Sequence, residues 1–310
     1  MYGNKHMKLL LTGSSGFIGT NLAPVLSRDF ELHHLKSDLL DFTAVQNEVA
    51  EVAPDIIVHL AARTEVEQSF YEQLTFSQIN YVGTVNLIES AAKLKNLKNF
   101  VFASTMEVYG WQPISDQIRD GLAFTPIAFD EHTQPNPNAP YAVAKYACEK
   151  YLEYAHRSLG LPFTAIRQTN SYGRQDNDFF VTEQIITQML KNPAEVNLGY
   201  SEPYRNFIHI SDLLDAWQQV IHNYDQVNKG MIFTIGPDSP IRIRDYADMI
   251  AQKLNWHGTI NWNTKPARPG EIYWLNSNHT LLTNTLGWAP QVSLSQGLDQ
   301  TIEFWKLKYA

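Results

Sequence analysis

The chain has 310 residues, 44% of them hydrophobic and 18% charged, with a formal net charge of −8; it is long enough for one large domain, alone or carrying a smaller lobe. That charge excludes nonspecific adhesion to nucleic acid or to an anionic membrane, both of which need a basic surface, and it requires locally placed arginines for any negatively charged ligand. A single cysteine, Cys148, cannot form an internal disulfide, and there is neither a secretory apolar segment nor an unbroken apolar span of about 18 residues, so a cytoplasmic location is expected.

A polar arm, Met1 to His6, precedes the first element. The apolar run 8–11 (KLLL) predicts a strand for the middle of a parallel sheet, followed by Gly13, Gly16 and Gly19 at three-residue intervals and an amphipathic helix over 17–26. Residues 30–35 predict a second strand and 41–52 a helix with Asp41 as N-cap. A third strand over 55–60 (DIIVHL) is apolar enough for burial on both faces, and a long helical region covers 71–94, weakened by Gly83. Strands over 99–103 and 163–167 bracket a helix over 141–159. Repeated strand–helix units of this kind specify an α/β fold, a Rossmann-like doubly wound parallel sheet. Beyond it the alternation weakens: helices over 177–191, 211–223 and 243–254 surround one strand over 231–235, with prolines 237, 240, 266, 269 and 290 punctuating the rest. The expected division is a dinucleotide-binding domain over 7–170, rejoined by a strand near 231–236, and a smaller C-terminal substrate-binding lobe over 171–230 and 237–310.

Each glycine of the first turn has a physical role. Gly13 permits the tight turn out of the strand, Gly16 lets the backbone approach a pyrophosphate, and Gly19 lets the helix pack close to the sheet. The phosphates would then meet the N–H groups of the helix start, around Ser15, Phe17 and Ile18. A second constellation is YAVAK, in which Tyr141 and Lys145 are four residues apart and share one helical face. Lowering a tyrosine pKa from about 10 to near 7 takes roughly 4 kcal/mol, and a positive charge about 4 Å away supplies about that at an effective dielectric near 20. Lys145, helped by an oxidised nicotinamide, would make Tyr141 a base at neutral pH. The ten histidines show no HExxH-type spacing, so no metal is expected, and Cys148 reads as a small buried hydrophobe.

In this order the motifs resemble the extended short-chain dehydrogenases/reductases that modify nucleotide sugars. TGSSGFIG is similar to their TGxxGxxG turn, HLAA at 59–62 to the end of their third strand, NYVGT at 80–84 to their NxxGT segment, ASTMEVYG at 103–110 to their fourth-strand motif, and YAVAK to their YxxxK pair. The resemblance implies NAD or NADP as cofactor, contacted also by Leu60, Ala61, Ala62 and Asn80. It implies Tyr141 as acid/base, Lys145 on the nicotinamide ribose, and Thr105 on the reacting sugar oxygen. Asp38 and Leu39, in SDLLD, correspond to the adenine site. Asn170 in RQTNSYG, Arg205 in YRNFIHISD and Arg268 in RPGE resemble the residues that hold a nucleotide diphosphate, and two guanidinium groups suit a pyrophosphate. The LGWAP segment at 286–290, with the GLDQTIEFW that follows it, resembles the family's closing segment. An aromatic flank of Tyr146, Tyr151 and Tyr154 resembles its helical homodimer face.

Three positions depart from the family pattern: Asn206 stands for an aspartate, Arg174 for a proline, and Met106 for the acid that 4,6-dehydratases place after the catalytic Thr. A thioether cannot protonate a leaving hydroxyl. Glu107 remains as a candidate base at sugar C5. The implied activity is thus C4 chemistry on a nucleotide sugar of the epimerase or dehydratase type; the alternatives are an NADPH-dependent 4-keto sugar reductase and a cofactor-binding regulator without catalysis. The tip of the second strand, His33 to Ser37, carries no carboxylate. Lys36 and Ser37 would therefore face the adenosine ribose, and NADP(H) is expected to bind at least as well as NAD(H).

Overall fold

The computed structural model describes residues 7–265 and 267–309; the Met1 to His6 arm, Pro266 and Ala310 lie outside them. Five strands, β1 (Lys8–Thr12), β2 (Glu31–His34), β3 (Ile56–His59), β4 (Asn99–Thr105) and β5 (Phe163–Gln168), are joined by a returning strand, Lys229–Ile235, into one six-stranded sheet. Its order is returning strand, β5, β4, β3, β1, β2, and every pairing is parallel. The chain winds outward from β1 in one direction and from β3 in the other, which makes the carboxyl ends of these two strands the point where a ligand crevice opens.

The central strands are apolar because both faces are covered. On one face Leu9, Leu11, Ile56 and Val58 pack with Leu22, Trp217 and Val220 from helices Phe17–Leu26 and Ile210–His222. On the other, Leu10, Ile57 and Phe100 pack with Val45, Leu87, Cys148 and Leu152 from helices Phe42–Val52, Gly83–Ala91 and Pro140–Leu159. A third core, around Ile185, Tyr246 and Trp305, belongs to the C-terminal segments. There the short strand pairs Tyr204–Arg205 with Ile241–Arg242, and Asn170–Tyr172 with Phe207–His209, were not foreseen. No described helix is long and apolar enough to cross a membrane.

The helical region expected over 71–94 runs over 73–91 as three consecutive pieces, Gln73–Phe76, a π-helical stretch Ser77–Val82, and Gly83–Ala91, with a short helix Val66–Ser69 before it. Gly83 is not the break. Its backbone is ordinary right-handed helix, and a Cβ there would stand 3.0 Å from the Leu39 side chain. The distortion lies before it, where the Asn80 carbonyl accepts from the Thr84 hydroxyl at 2.6 Å and from the Cys148 thiol at 3.2 Å. The helix expected over 177–191 begins only at Val181, because Asp178 turns back to receive Thr187 and Lys191.

Candidate active site

The glycine turn fits a dinucleotide. Gly13 has φ +71°, and a Cβ on it would fall 2.6 Å from the Ala61 nitrogen at the end of β3. One on Gly19 would fall 2.2 Å from the Gly13 carbonyl, so neither position admits a side chain. At Gly16 the same atom would meet only the Gly13 carbonyl, at 3.4 Å. This glycine and Ser15 are exposed. The helix starting at Phe17 has no side-chain cap, which leaves the N–H groups of its first turn, at Phe17, Ile18 and Gly19, open to an anion. Beside the turn is a cavity of about 290 Å³ whose lining includes Gly13, Leu35, Ser37, Asp38, Leu39 and Ala61. Apolar walls with one carboxylate suit an adenosine.

Other residues expected at the cofactor serve as its frame. Both side-chain atoms of Asn80 are spent on the backbone of Arg63, accepting at 2.8 Å and donating at 2.9 Å, which fixes the loop that carries Leu60, Ala61 and Ala62. His59 is fully buried between the hydroxyls of Thr12 (2.7 Å) and Thr84 (2.8 Å). Burial first, then the Lys145 charge, pushes its pKa down to about 3, so it is neutral. Burial likewise pushes the Cys148 thiol up to about 12, consistent with an inert core residue. Lys36 is exposed, and its amide is engaged by the carboxylate of Glu48.

Tyr141 lies in the first turn of helix Pro140–Leu159, set by Pro140 at its start, and Thr105 ends β4. Burial dominates the phenol and raises its pKa well above 10; the neighbouring Thr105 hydroxyl opposes this, and the charges of Glu107 and Glu65 add to it. The expected lowering by Lys145 is absent. The two residues share a helical face, but the ammonium donates to the Ala103 carbonyl at 2.8 Å and sits 4.8 Å from the centre of the Phe102 ring. In the free chain Tyr141 is therefore a neutral phenol.

Burial also acts on Lys145, pushing its pKa down to about 8, only partly opposed by Cys148 and Glu149. The sign follows from the proton. The ammonium is present below about pH 8 and lost above it, so kcat/KM should fall as pH rises through about 8. Stability should move the other way: the unfolded chain holds this proton up to its ordinary 10.5, so the cost of burying the charge is relieved between about 8 and 10.5. Rate and denaturant midpoint measured over that range check both slopes; activity that is flat to pH 9.5 contradicts the assignment.

Glu107 follows Thr105 in a short 3₁₀ turn, Met106–Tyr109, and its amide donates to the Thr105 hydroxyl at 3.2 Å. Its charge is felt by Tyr141, Arg205 and Arg268 alike. Met106 instead packs with Phe129 and Ile272 in an apolar cluster. Arg205 and Arg268 meet on one carboxylate that the sequence reading assigned no role, Glu271. Arg205 Nη2 donates to Oε1 at 2.9 Å, and Arg268 donates through Nε to Oε2 and through Nη2 to Oε1, both at 3.0 Å. Burial would raise Glu271, but the two guanidinium charges outweigh it and hold it below the usual carboxylate range. The two guanidinium charges face Glu271 directly, with Glu107 acting on both and Glu67 on Arg268. Asn170 is exposed and pairs in register with Phe207, two residues beyond Arg205.

The departures have structural work. Asn206 joins two loops, donating to the Pro237 carbonyl and accepting from the Ser277 amide at 2.7 Å. The Arg174 guanidinium lies between the rings of Phe17 and Phe180, at 4.2 and 3.8 Å. A buried ion pair also escaped the sequence reading. Arg167 grips Glu149 at 3.0 and 2.7 Å and reaches the Tyr109 hydroxyl at 3.0 Å, while Ser104 donates to the same carboxylate. It ties the Tyr141 helix to β4 and β5 next to Thr105. Among the described residues no group of three or more His, Cys, Asp or Glu is placed to hold a metal ion.

A glycine-turn dinucleotide site beside a Thr–Tyr–Lys set on a doubly wound sheet defines an extended short-chain dehydrogenase/reductase. Residues 9–236 match the model of the NAD dependent epimerase/dehydratase family. The chain belongs to that family, and its cofactor is NAD or NADP. It is 28% identical to a dTDP-glucose 4,6-dehydratase of Streptomyces niveus, over 97% of this chain and 93% of that protein. It is also 28% identical to a UDP-glucose 4-epimerase of Mycolicibacterium smegmatis, over 97% of this chain and 99% of that one. In fold it is similar to the UDP-glucuronic acid 4-epimerase of Bacillus cereus, solved with UDP-glucuronic acid and NAD, with a TM-score of 0.85, 23% identity, and coverage of 98% and 100% of the two chains.

Proposed function

We propose that this chain oxidises the C4 hydroxyl of a nucleotide diphosphate sugar and returns the hydride within the same catalytic cycle, as an epimerase does. The observation that carries the reading is the Arg205–Glu271–Arg268 clamp, two guanidinium groups gathered on one buried carboxylate, close enough to Glu107, two residues beyond Thr105, for that carboxylate to bear on both arginines and on the Tyr141 phenol. A sugar bridging phenol and arginines, with its diphosphate on the guanidinium groups, would lie in that span. When bound, the oxidised nicotinamide supplies the hydride acceptor and a positive charge. Tyr141 then acts as the proton carrier at the sugar oxygen, and Thr105 holds that oxygen in line. Because burial keeps the free phenol neutral, removal of its proton depends on positive charge delivered beside it.

Elimination of the C6 hydroxyl, the dehydratase outcome, is favoured by one feature, the Glu107 carboxylate available for a C5 proton. Against it, the acid for the leaving hydroxyl is replaced by Met106, buried among apolar side chains. The proposal includes a homodimer through the helices Gly83–Ala91 and Pro140–Leu159. Of the flank expected there, Tyr151 and Tyr154 pack together, with Tyr81 of the preceding π-helical stretch against Tyr151, and Val143 and Tyr154 are exposed, while Tyr146 packs instead on the cluster of Met106 and Phe129. Turnover of a nucleotide-sugar panel, followed at C4, tests the activity.

A further inference from the structure

The loop leaving β2 lines the cavity beside the glycine turn through Leu35, Ser37 and Asp38; an adenosine seated in that cavity would bring its ribose to this loop. A 2′-phosphate brings about one and a half to two negative charges and needs donors to meet them. Lys36 and Ser37 bring four donor groups to this loop: their two amides, the Ser37 hydroxyl and the Lys36 ammonium. Three of the four are already taken by one carboxylate. Glu48, reaching up from helix Phe42–Val52, accepts from the Lys36 amide at 2.9 Å through Oε1, and from the Ser37 amide at 2.8 Å and the Ser37 hydroxyl at 2.6 Å through Oε2.

Burial of Glu48 works to raise its pKa, but the bonds from Ser37 and Lys36 and the Lys36 charge outweigh it and hold the carboxyl below its usual range. It is therefore an anion at neutral pH. A phosphate on this loop would face a fixed negative charge with only the Lys36 ammonium to offset it. A ribose hydroxyl is neutral and pays no such penalty.

We propose that Glu48 is a specificity-determining residue that makes this chain select NAD(H) over NADP(H), by occupying the loop donors a 2′-phosphate requires and placing its own charge there. The inference rests on the dinucleotide reading of the glycine turn, and it reverses the expectation drawn from Lys36 and Ser37 alone. The strand tip carries no acid, but the following helix supplies one, eleven and twelve residues along the chain.

The test uses the full chain, freed of any nucleotide retained on purification, titrated with NAD, NADP, NADH and NADPH by calorimetry. The wild type should bind NAD at least about tenfold more tightly than NADP, a difference of about 1.4 kcal/mol. Glu48→Gln keeps an acceptor for the loop amides and removes the charge; it should tighten NADP at least fivefold while NAD changes less than about twofold. Lys36→Ala, which leaves Glu48 in place, should widen the preference for NAD. Equal or better binding of NADP by the wild type overturns the inference, as does an unchanged ratio in Glu48→Gln, or equal weakening of both cofactors, which would make Glu48 a loop brace only. If the folded wild type binds no dinucleotide, the dinucleotide reading itself fails.

Discussion

Tyr141→Phe should lower kcat at least about a hundredfold and leave both cofactor and nucleotide affinity within about twofold. A positioned proton transfer contributes at least that factor, roughly 2.7 kcal/mol. The substitution removes only a hydroxyl beside Thr105; the ring keeps its place in the first turn of its helix. Folding should not suffer, because a buried polar hydroxyl gives way to the apolar edge of the same ring. Steady-state kinetics with separate binding titrations check the result, and a variant retaining more than about a tenth of the wild-type rate excludes Tyr141 as the proton carrier.

The second large effect concerns the arginine pair. Arg205→Ala and Arg268→Ala should each weaken binding of a nucleoside diphosphate about ten- to a hundredfold, the worth of a charge-assisted hydrogen bond, and spare NAD. The two variants should differ in stability. The Arg205 side chain is only 6% exposed, so its loss strips one of two partners from a buried carboxylate, at a cost of about 3 kcal/mol. Arg268 is 28% exposed, and Arg205 still covers Glu271 when it is removed. Arg268→Ala therefore tests binding with the fold intact. Unchanged affinity in both variants removes the support for a nucleotide diphosphate substrate.

The parts of the molecule legible in the sequence were those written in local pattern. The glycine turn, the apolar strands and the YAVAK face each depend on residues close together in the chain, and the sheet they predict is present. Within the helical region expected over 71–94 the π-helical stretch went unread, because one of the bonds on the Asn80 carbonyl comes from Cys148, 68 residues away. Charge partners were the least legible. Arg268 and Glu271 are three residues apart in sequence, yet their significance comes from Arg205, which lies 66 residues before Glu271. Lys145 was read beside Tyr141, but its ammonium found the Ala103 carbonyl, 42 residues earlier. At the adenosine end, inspection of the strand tip alone missed Glu48, because the acid arrives from the next element.

The most direct measurement of the account is turnover of UDP-glucose, UDP-glucuronic acid and dTDP-glucose by the NAD-loaded chain, followed by proton NMR at C4 and by absorbance of the reduced cofactor. The account predicts that at least one of these sugars is converted to its C4 epimer with no net accumulation of reduced cofactor, and that Tyr141→Phe abolishes the conversion. A chain that binds NAD and nucleoside diphosphates yet leaves C4 of every panel member unchanged, or that consumes NADPH in stoichiometric amounts with a 4-keto sugar, would contradict it.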